Sequence, residues 1–278
     1  MRLHLHAWLP AAAALAEPAP EPVATIAVVH GYSEHGGRHT RFAEAMTAHG
    51  YAVYAYDLRG HGQSSGVRGQ VDRFDDYLAD TAVFLDEVRR RQPGRPVVLL
   101  GHSLGGLICA RLVEEGCEGL LGLVLSSPFF GLTAEVPPAK LLGARVLSFL
   151  WPARDIGNTL LAADLSHDET VVEAYVTDPL VHHVATARWA AELMKAQDAA
   201  LAGAARVTLP LLLLYGDEDA VADPAFSEAF FATAGATEKT RLHYEGLYHE
   251  LFNETERERV FVDVAAWLAE RLPEAAAV

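Results

Sequence analysis

The sequence predicts an α/β fold with a mostly parallel central sheet and helices on both faces. Three features of the 278-residue chain support this prediction. Short apolar runs alternate with longer segments of helical periodicity, which is the order expected when parallel strands are joined by crossover helices. Several of the runs are apolar at every position, as in strands that are buried on both faces. Glycine and proline mark many of the boundaries.

The first part of this core is predicted to cover residues 1–126. Polar and apolar side chains alternate from residue 3 to residue 9, which is the period of a half-buried strand. The fully apolar strands expected after it are at 25–29, 51–56, 97–100 and 120–125. The helical patterns between the strands are at 38–49, 73–92 and 107–113.

The first 16 residues allow a second interpretation. Arg2 is followed by an apolar stretch that ends in Ala14-Leu15-Ala16, a pattern similar to a signal-peptidase site. His4, His6 and Pro10 interrupt that stretch, so a strand is the preferred interpretation. We therefore expect a cytoplasmic protein, with secretion as the alternative if residues 1–16 act as a signal peptide.

Residues 127–202 break the strand and helix rhythm. Helical patterns occupy 140–151 and 186–201, prolines interrupt them, and no convincing core strand is present. The rhythm returns with strands at 209–215 and 240–244 and a helix at 255–272, so the second part of the core is predicted to be 203–278. Inserted helices at this point are expected to form a cap above the carboxyl ends of the strands, where sites of α/β proteins lie.

Composition excludes several classes of partner. A net charge of −15 argues against nucleic acid, because phosphates require a basic surface. Cys109 and Cys117 fit a reduced protein without disulfides, and neither has the setting of a metal ligand.

No apolar run reaches the roughly 18 residues that a membrane span needs. The apolar face of the cap, which includes Leu142 and Phe149, predicts internal packing, with transient contact to a membrane or micelle as the alternative.

The most informative stretch is Val97 to Leu107. Four apolar residues lead into Gly101-His102-Ser103-Leu104-Gly105, and a helix-compatible segment follows at once. Strand, sharp turn and helix are the context of a nucleophile elbow, in which a strained turn lifts the serine hydroxyl above the sheet edge. Ser103 is therefore the candidate nucleophile.

An activated serine needs a base and an acid, and both are expected after Ser103. Asp217 and Asp219 follow the strand at 209–215, and these residues alone do not decide between them. Asp223 precedes Pro224 and has the chemistry of a helix N-cap, so it is assigned a structural role. His249 stands in a loop just beyond the last strand, where its ring can reach both a serine and a carboxylate.

These motifs resemble the monoacylglycerol lipase and lysophospholipase branch of the α/β-hydrolases, which is related to serine aminopeptidase-type hydrolases. The resemblance covers nearly the whole chain. It rests on Trp8-Leu9-Pro10, His30-Gly31, Glu34-His35, Arg38, Asp57, Arg59 to Ser64, Gly101 to Gly106, Asp178-Pro179-Leu180, Gly216, Asp219, Glu245-Gly246 and Tyr248-His249.

The resemblance implies an α/β-hydrolase fold with a catalytic triad of Ser103, Asp219 and His249. It places the acid third after Gly216, which selects Asp219 over Asp217. It implies that the backbone N–H groups of Tyr32 and Leu104 form the oxyanion hole, and that no cofactor or metal is required for catalysis. Leu104 stands where the family usually has methionine, which matters little for a backbone donor.

The implied substrates are single-chain lipid esters, monoacylglycerols above all. Tyr175 resembles a cap tyrosine near the polar end of the substrate, and Leu142 and Phe149 are expected to line an acyl tunnel. Lysophospholipase, small-ester carboxylesterase, aminopeptidase and acyltransferase activities on the same triad remain alternatives. A non-catalytic binding protein is a further alternative, although such proteins usually lack a triad residue and this chain lacks none.

Overall fold

A seven-stranded sheet forms the centre of the computed structural model, which describes residues 1–11, 21–133, 143, 146–157 and 160–272. The strands are β1 (Leu5–Trp8), β2 (Thr25–Val29), β3 (Ala52–Tyr56), β4 (Val97–His102), β5 (Gly122–Ser126), β6 (Leu211–Gly216) and β7 (Lys239–Tyr244). Their order across the sheet is β1-β3-β2-β4-β5-β6-β7. Only β1 is antiparallel to its neighbour, so the predicted mostly parallel sheet is confirmed.

The main α-helices connect and cover these strands. They are α1 (Thr40–Ala48), α2 (Asp75–Arg91), α3 (Leu104–Glu114), α4 (Glu169–Thr177), α5 (Ala187–Gly203), α6 (Pro224–Thr233) and α7 (Arg257–Ala269). Residues 146–150 are also helical. Short 3₁₀ helices occur at Gly36–His39, Ala162–Asp164, Ala204–Arg206 and Leu251–Asn253. Within the described ranges, no helix combines the length and apolarity that a membrane crossing would need.

The sheet separates two apolar layers because side chains of a strand alternate between its faces. On one face, Val98 and Leu100 pack with Phe42 of α1 and Phe261 of α7. The opposite layer packs Val97 and Leu99 of β4 with residues of α2, α3 and α5. Both faces of the central strands are therefore buried, as their uniformly apolar sequences predict.

Most predicted elements are present, with boundaries shifted by a few residues. The helix predicted at 186–201 is α5, and it packs against α3 of the core. Helix α4 was not predicted, because its nine residues are short and carry the β-branched pair Val171 and Val172, which weakens a helical pattern. Asp168 begins this helix by accepting a hydrogen bond from the Thr170 N–H. The predicted segment 140–151 lies partly outside the described residues.

Candidate active site

Three polar side chains meet at the carboxyl edge of the sheet. Ser103 directly follows β4, Asp219 lies three residues after the end of β6, and His249 lies in the loop after β7. Because these strands are parallel, their carboxyl ends lie at one edge, where the loops that follow them can converge.

Ser103 occupies a strained turn. Its φ of 53° and ψ of −118° lie outside the usual regions for a residue with a side chain. The flanking glycines are required by close approach. A Cβ atom on Gly101 would collide with the Gly105 carbonyl oxygen, and one on Gly105 would collide with the Val29 carbonyl oxygen. The predicted strand, turn and helix around Ser103 are thus confirmed.

A continuous hydrogen-bond chain links the three groups. His249 Nε2 lies 2.9 Å from Ser103 Oγ, and His249 Nδ1 lies 2.7 Å from Asp219 Oδ2. All three residues are buried, with 2% to 6% of their surface exposed. The ring nitrogen that faces the carboxylate is suited to carry a proton, which leaves Nε2 free to accept one from the serine hydroxyl.

The two aspartates that the residues alone did not separate have different surroundings. Asp219 is buried, and its Oδ1 accepts hydrogen bonds from the N–H groups of Val221 and Ala222 at 2.8 and 2.9 Å. Asp217 is exposed and accepts a hydrogen bond from the Gly246 N–H at 2.6 Å. Of these two aspartates, Asp219 is the one that contacts His249.

Two backbone segments approach Ser103. Leu104 is the first residue of α3, so its N–H has no carbonyl acceptor within the helix. A Cβ atom on Gly31 would lie 3.1 Å from the Ser103 Cβ, so the loop after β2 passes directly beside the serine. Tyr32, the next residue, donates its hydroxyl to the Val184 carbonyl at 2.5 Å, and its ring stacks on Trp189 at 3.8 Å. This loop is therefore held by the segment between β5 and β6.

A buried ion-pair network beside His249 was not predicted from sequence. Arg38 donates to both oxygens of Glu250, at 2.6 and 2.9 Å, and to Glu34 at 3.2 Å. Glu34 also accepts the Gly31 N–H at 2.5 Å. The sequence signal was the position of Glu250 next to His249, together with the i, i+4 pair of Glu34 and Arg38. These charges fix the loops on both sides of the site.

Tyr175 joins the same network. It lies on α4 and is buried, and the Arg38 guanidinium carbon is 4.9 Å from the centre of its ring. The other two predicted substrate contacts have different outcomes. Leu142 lies outside the described residues. Phe149 is 82% exposed and faces solvent, so the expectation that it lines an enclosed tunnel is wrong for this structure.

Comparison with known proteins places this geometry in a family. Residues 20–256 match the family model described as serine aminopeptidase, S33. The chain belongs to this family. Phospholipase YtpA of Bacillus subtilis (strain 168) is 34% identical over 245 residues, which cover 87% of this chain and 94% of the relative. A monoacylglycerol lipase of Mycolicibacterium smegmatis (strain ATCC 700084 / mc(2)155) is 34% identical over 256 residues, covering 92% and 91%.

A solved structure supports the fold assignment. The monoacylglycerol lipase of Paleococcus ferrophilus superposes with a TM-score of 0.86 at 29% identity, covering 98% of this chain and 100% of that one. The α/β-hydrolase fold that the motifs implied is thereby confirmed.

Neighbouring carboxylates raise the pKa of His249, which makes its imidazole a stronger base. Burial alone would lower the pKa of His249, but Asp219, Glu250 and Glu34 raise it above its ordinary value of 6.5. The neighbouring His102 ring, with its centroid 4.9 Å away, has a pKa well below 6.5 because of burial and the proximity of His249. Burial would raise the pKa of Glu34, but His39, His102 and Arg38 lower it well below its ordinary value. Glu34 is therefore a fixed negative charge, and Glu250 lies beside His249 in its ion pair with Arg38.

These charges predict the pH dependence of activity. Only neutral His249 can accept the serine proton, so kcat/KM should rise with pH along a limb whose apparent pKa lies above 6.5. Replacing Glu250 with glutamine removes one of the charges that raise the pKa, and the limb should move to lower pH. The measurement is kcat/KM for a soluble ester between pH 5 and 9.

Glu245→Gln is the matched control, because Glu245 is an exposed carboxylate in the same loop. Its limb should coincide with that of the wild type. A Glu250→Gln limb that stays in place or moves to higher pH would contradict the electrostatic role of Glu250, whatever the change in maximal rate.

Proposed function

We propose that this protein is a serine hydrolase that cleaves carboxylic esters of single-chain lipids, monoacylglycerols above all, into an alcohol and a fatty acid. The observation that carries the proposal is the buried hydrogen-bond chain from Ser103 through His249 to Asp219. A serine hydroxyl is a weak nucleophile at neutral pH, and an adjacent base held by a carboxylate is the arrangement that activates it.

In the first half of the reaction, Ser103 Oγ attacks the ester carbonyl carbon while His249 Nε2 takes the hydroxyl proton. Asp219 stabilises the imidazolium that forms. The oxyanion accepts hydrogen bonds from the backbone N–H groups of Tyr32 and Leu104, and a donor of this kind contributes about 3 to 4 kcal/mol in other enzymes. Collapse of the tetrahedral intermediate breaks the ester C–O bond, and His249 returns its proton to the departing alcohol.

In the second half, water attacks the carbonyl carbon of the acyl group bound to Ser103, and His249 removes a proton from the water. The bond between the acyl carbon and Ser103 Oγ then breaks, and the proton passes from His249 to Ser103 Oγ. The fatty acid leaves, and the enzyme returns to its starting state. Each proton transfer in this cycle passes through His249 Nε2, first from Ser103 to the departing alcohol and then from water back to Ser103.

The relatives support lipid esters as the substrate class. Two proteins with about a third of their residues in common with this chain are a monoacylglycerol lipase and a phospholipase, and the Paleococcus ferrophilus structure is a monoacylglycerol lipase. Tyr175, whose ring lies 4.9 Å from the Arg38 guanidinium carbon, is proposed to lie near the polar end of the substrate. The phospholipase relative favours lysophospholipids as the second candidate substrate class.

The segment 127–202 is proposed to form the cap, between core parts 1–126 and 203–278. None of its described residues belongs to the central sheet. Three consecutive apolar residues in its described part, Phe149, Leu150 and Trp151, are each more than half exposed. A run of exposed apolar side chains suits transient contact with a lipid aggregate, since monomeric proteins rarely expose apolar clusters without a binding role.

Activity on a panel of esters tests the substrate class. We expect kcat/KM to increase on the order of tenfold or more from p-nitrophenyl butyrate to the octanoate, because each buried methylene contributes up to about 0.8 kcal/mol. Monooleoylglycerol should be cleaved well and triolein poorly, since a capped site admits one chain more readily than three. If acetyl esters or aminoacyl anilides are the best substrates, the lipase assignment fails and a small-ester or peptidase activity replaces it.

The same panel tests the cap contact. The double variant Phe149→Ser, Trp151→Ser should lose activity on aggregated monooleoylglycerol and retain it on monomeric p-nitrophenyl butyrate. Phe226, which is also partly exposed but lies on α6, provides the control as Phe226→Ser. Equal losses on both substrates would argue against contact with the aggregate.

A further inference from the structure

Two histidines and an aspartate converge where the edge strand β1 meets the end of β3. His4, His6 and Asp57 each offer one ligand atom, and these atoms all lie within 4.8 Å of one another. His6 Nε2 is 2.8 Å from Asp57 Oδ1. The three residues belong to neither the hydrogen-bond chain of Ser103 nor the ion-pair network around Arg38.

Strand pairing brings these groups together. His4 and His6 are two residues apart along an extended chain, so their side chains point to the same face. Leu5 pairs with Tyr56 in the antiparallel ladder, and the Asp57 N–H donates to the His4 carbonyl at 2.9 Å, so His4 and Asp57 stand opposite each other. Opposite residues have Cβ atoms about 4.5 to 5.5 Å apart. The convergence is therefore set by the backbone.

The carboxylate in this cluster has little positive charge around it. Asp57 has no exposed side-chain surface, and within the described ranges its ion-pair partner is His6, with no arginine or lysine nitrogen within 4 Å. The Asp57 carboxylate accepts the N–H groups of Gly36 and Gln63 at 2.9 and 2.7 Å, one on each oxygen, as an acceptor-only carboxylate does. A cation beside this buried carboxylate would offset the cost of burying its charge.

We propose that His4, His6 and Asp57 bind a divalent transition-metal ion, with Zn²⁺ as the best match. Two imidazole nitrogens and one carboxylate oxygen are a common zinc donor set. Zinc ligands lie at about 2.0 to 2.2 Å, which puts neighbouring ligand atoms about 3.4 Å apart in a tetrahedron. His4 and His6 are only partly buried, so small rotations of their rings can reach this geometry.

A fourth ligand is available near His4, and His6 can release the proton that its Nε2 shares with Asp57. The Gln63 side-chain amide lies 3.2 Å from His4 Nε2, so its oxygen or a water molecule can complete the tetrahedron. His6 binds through Nε2 as the neutral tautomer that carries its proton on Nδ1. Its proton moves through solvent, and the bond from His6 to Asp57 is replaced by two bonds to the metal.

The bound ion would stabilise the attachment of β1 at the edge of the sheet. Among the described residues, β3 is the only sheet neighbour of β1, so hydrogen bonds of the sheet hold β1 on one side. A metal bound by His6 of β1, by His4 just before this strand and by Asp57 after β3 adds a second attachment. Because the ligand binds the folded chain, saturating Zn²⁺ should raise Tm on the order of 5 °C when its concentration is about 100 times Kd.

Calorimetric titration of ZnCl₂ into metal-free protein without a histidine tag tests the proposal. We expect one tight site per chain and a matching rise in Tm. His4→Ala and His6→Ala should each weaken binding at least 10-fold and abolish the rise. His49→Ala, which removes an exposed histidine at the end of α1, should leave both unchanged. Hydrolysis of p-nitrophenyl butyrate, measured without added zinc, shows that each variant is folded.

Asp57→Asn is a less direct test, because the backbone hydrogen bonds of Gly36 and Gln63 depend on the carboxylate. Zinc binding by the His4→Ala and His6→Ala variants is therefore the deciding measurement. If the wild type binds no Zn²⁺, or if His4→Ala binds it as tightly as the wild type, the metal site does not exist.

Discussion

Replacing Ser103 with alanine is expected to reduce kcat for ester hydrolysis by about 10⁶-fold, the loss found when the nucleophile of another serine hydrolase is removed. The hydroxyl is the only group of Ser103 that forms a bond with the substrate in the proposed reaction. The backbone geometry does not depend on it, since the Ser103 N–H bonds to the Ser126 carbonyl and its own carbonyl accepts from Phe129 and Leu107. The free energy of unfolding should therefore change by about 1 kcal/mol at most.

Two measurements separate this result from a general loss of structure. A fluorophosphonate probe should label the wild type and leave Ser103→Ala unlabelled, while thermal unfolding of the two proteins remains similar. Ser127→Ala is a matched control, because Ser127 is also buried, follows the adjacent strand β5 and has a positive φ of 43°. Ser127→Ala should retain activity and labelling. Equal labelling of wild type and Ser103→Ala would remove Ser103 from the mechanism.

The turn that carries Ser103, the proposed nucleophile, could be predicted from sequence because its signals are local. A buried strand, two glycines around a serine and a following helix lie within eleven residues, and each has a steric reason in the structure. The central strands were predictable for the same reason, since burial on both faces leaves a run of apolar residues. The N-cap role of Asp223 is confirmed, as its side chain accepts the Ala225 N–H at 2.9 Å.

Interactions between distant parts of the chain could not be predicted. Arg38 and Glu250 are 212 residues apart, and neither has a local pattern that identifies its partner. The proposed zinc ligands have the same property, because His4 and Asp57 become neighbours only when β1 pairs with β3. The choice between Asp217 and Asp219 needed a family resemblance. Both carboxylates lie in one turn, and only the folded structure shows that the Asp219 side chain points to His249 while the Asp217 side chain is exposed.

Asp219→Asn should lower kcat/KM by about 10⁴-fold, the loss found when a triad aspartate was changed to asparagine in another enzyme. The hydrogen bonds of this structure explain why. Asp219 Oδ1 accepts the Val221 and Ala222 N–H groups, so the single oxygen of asparagine should stay there. Its NH₂ group then faces His249 Nδ1 and requires that nitrogen to accept. His249 must carry its proton on Nε2, where it cannot receive the proton of Ser103.

Asp217→Asn is the matched comparison, with the same chemical change two residues away. Its exposed side chain accepts the Gly246 N–H, which an asparagine oxygen can also do, so kcat/KM should change by less than about threefold. Both variants should keep their fold, because each retains an oxygen for the backbone donors. The reverse ranking, with Asp217→Asn the more damaged enzyme, would show that Asp219 does not serve His249 in catalysis. The hydrogen bond of 2.7 Å between Asp219 and His249 would then be structural only.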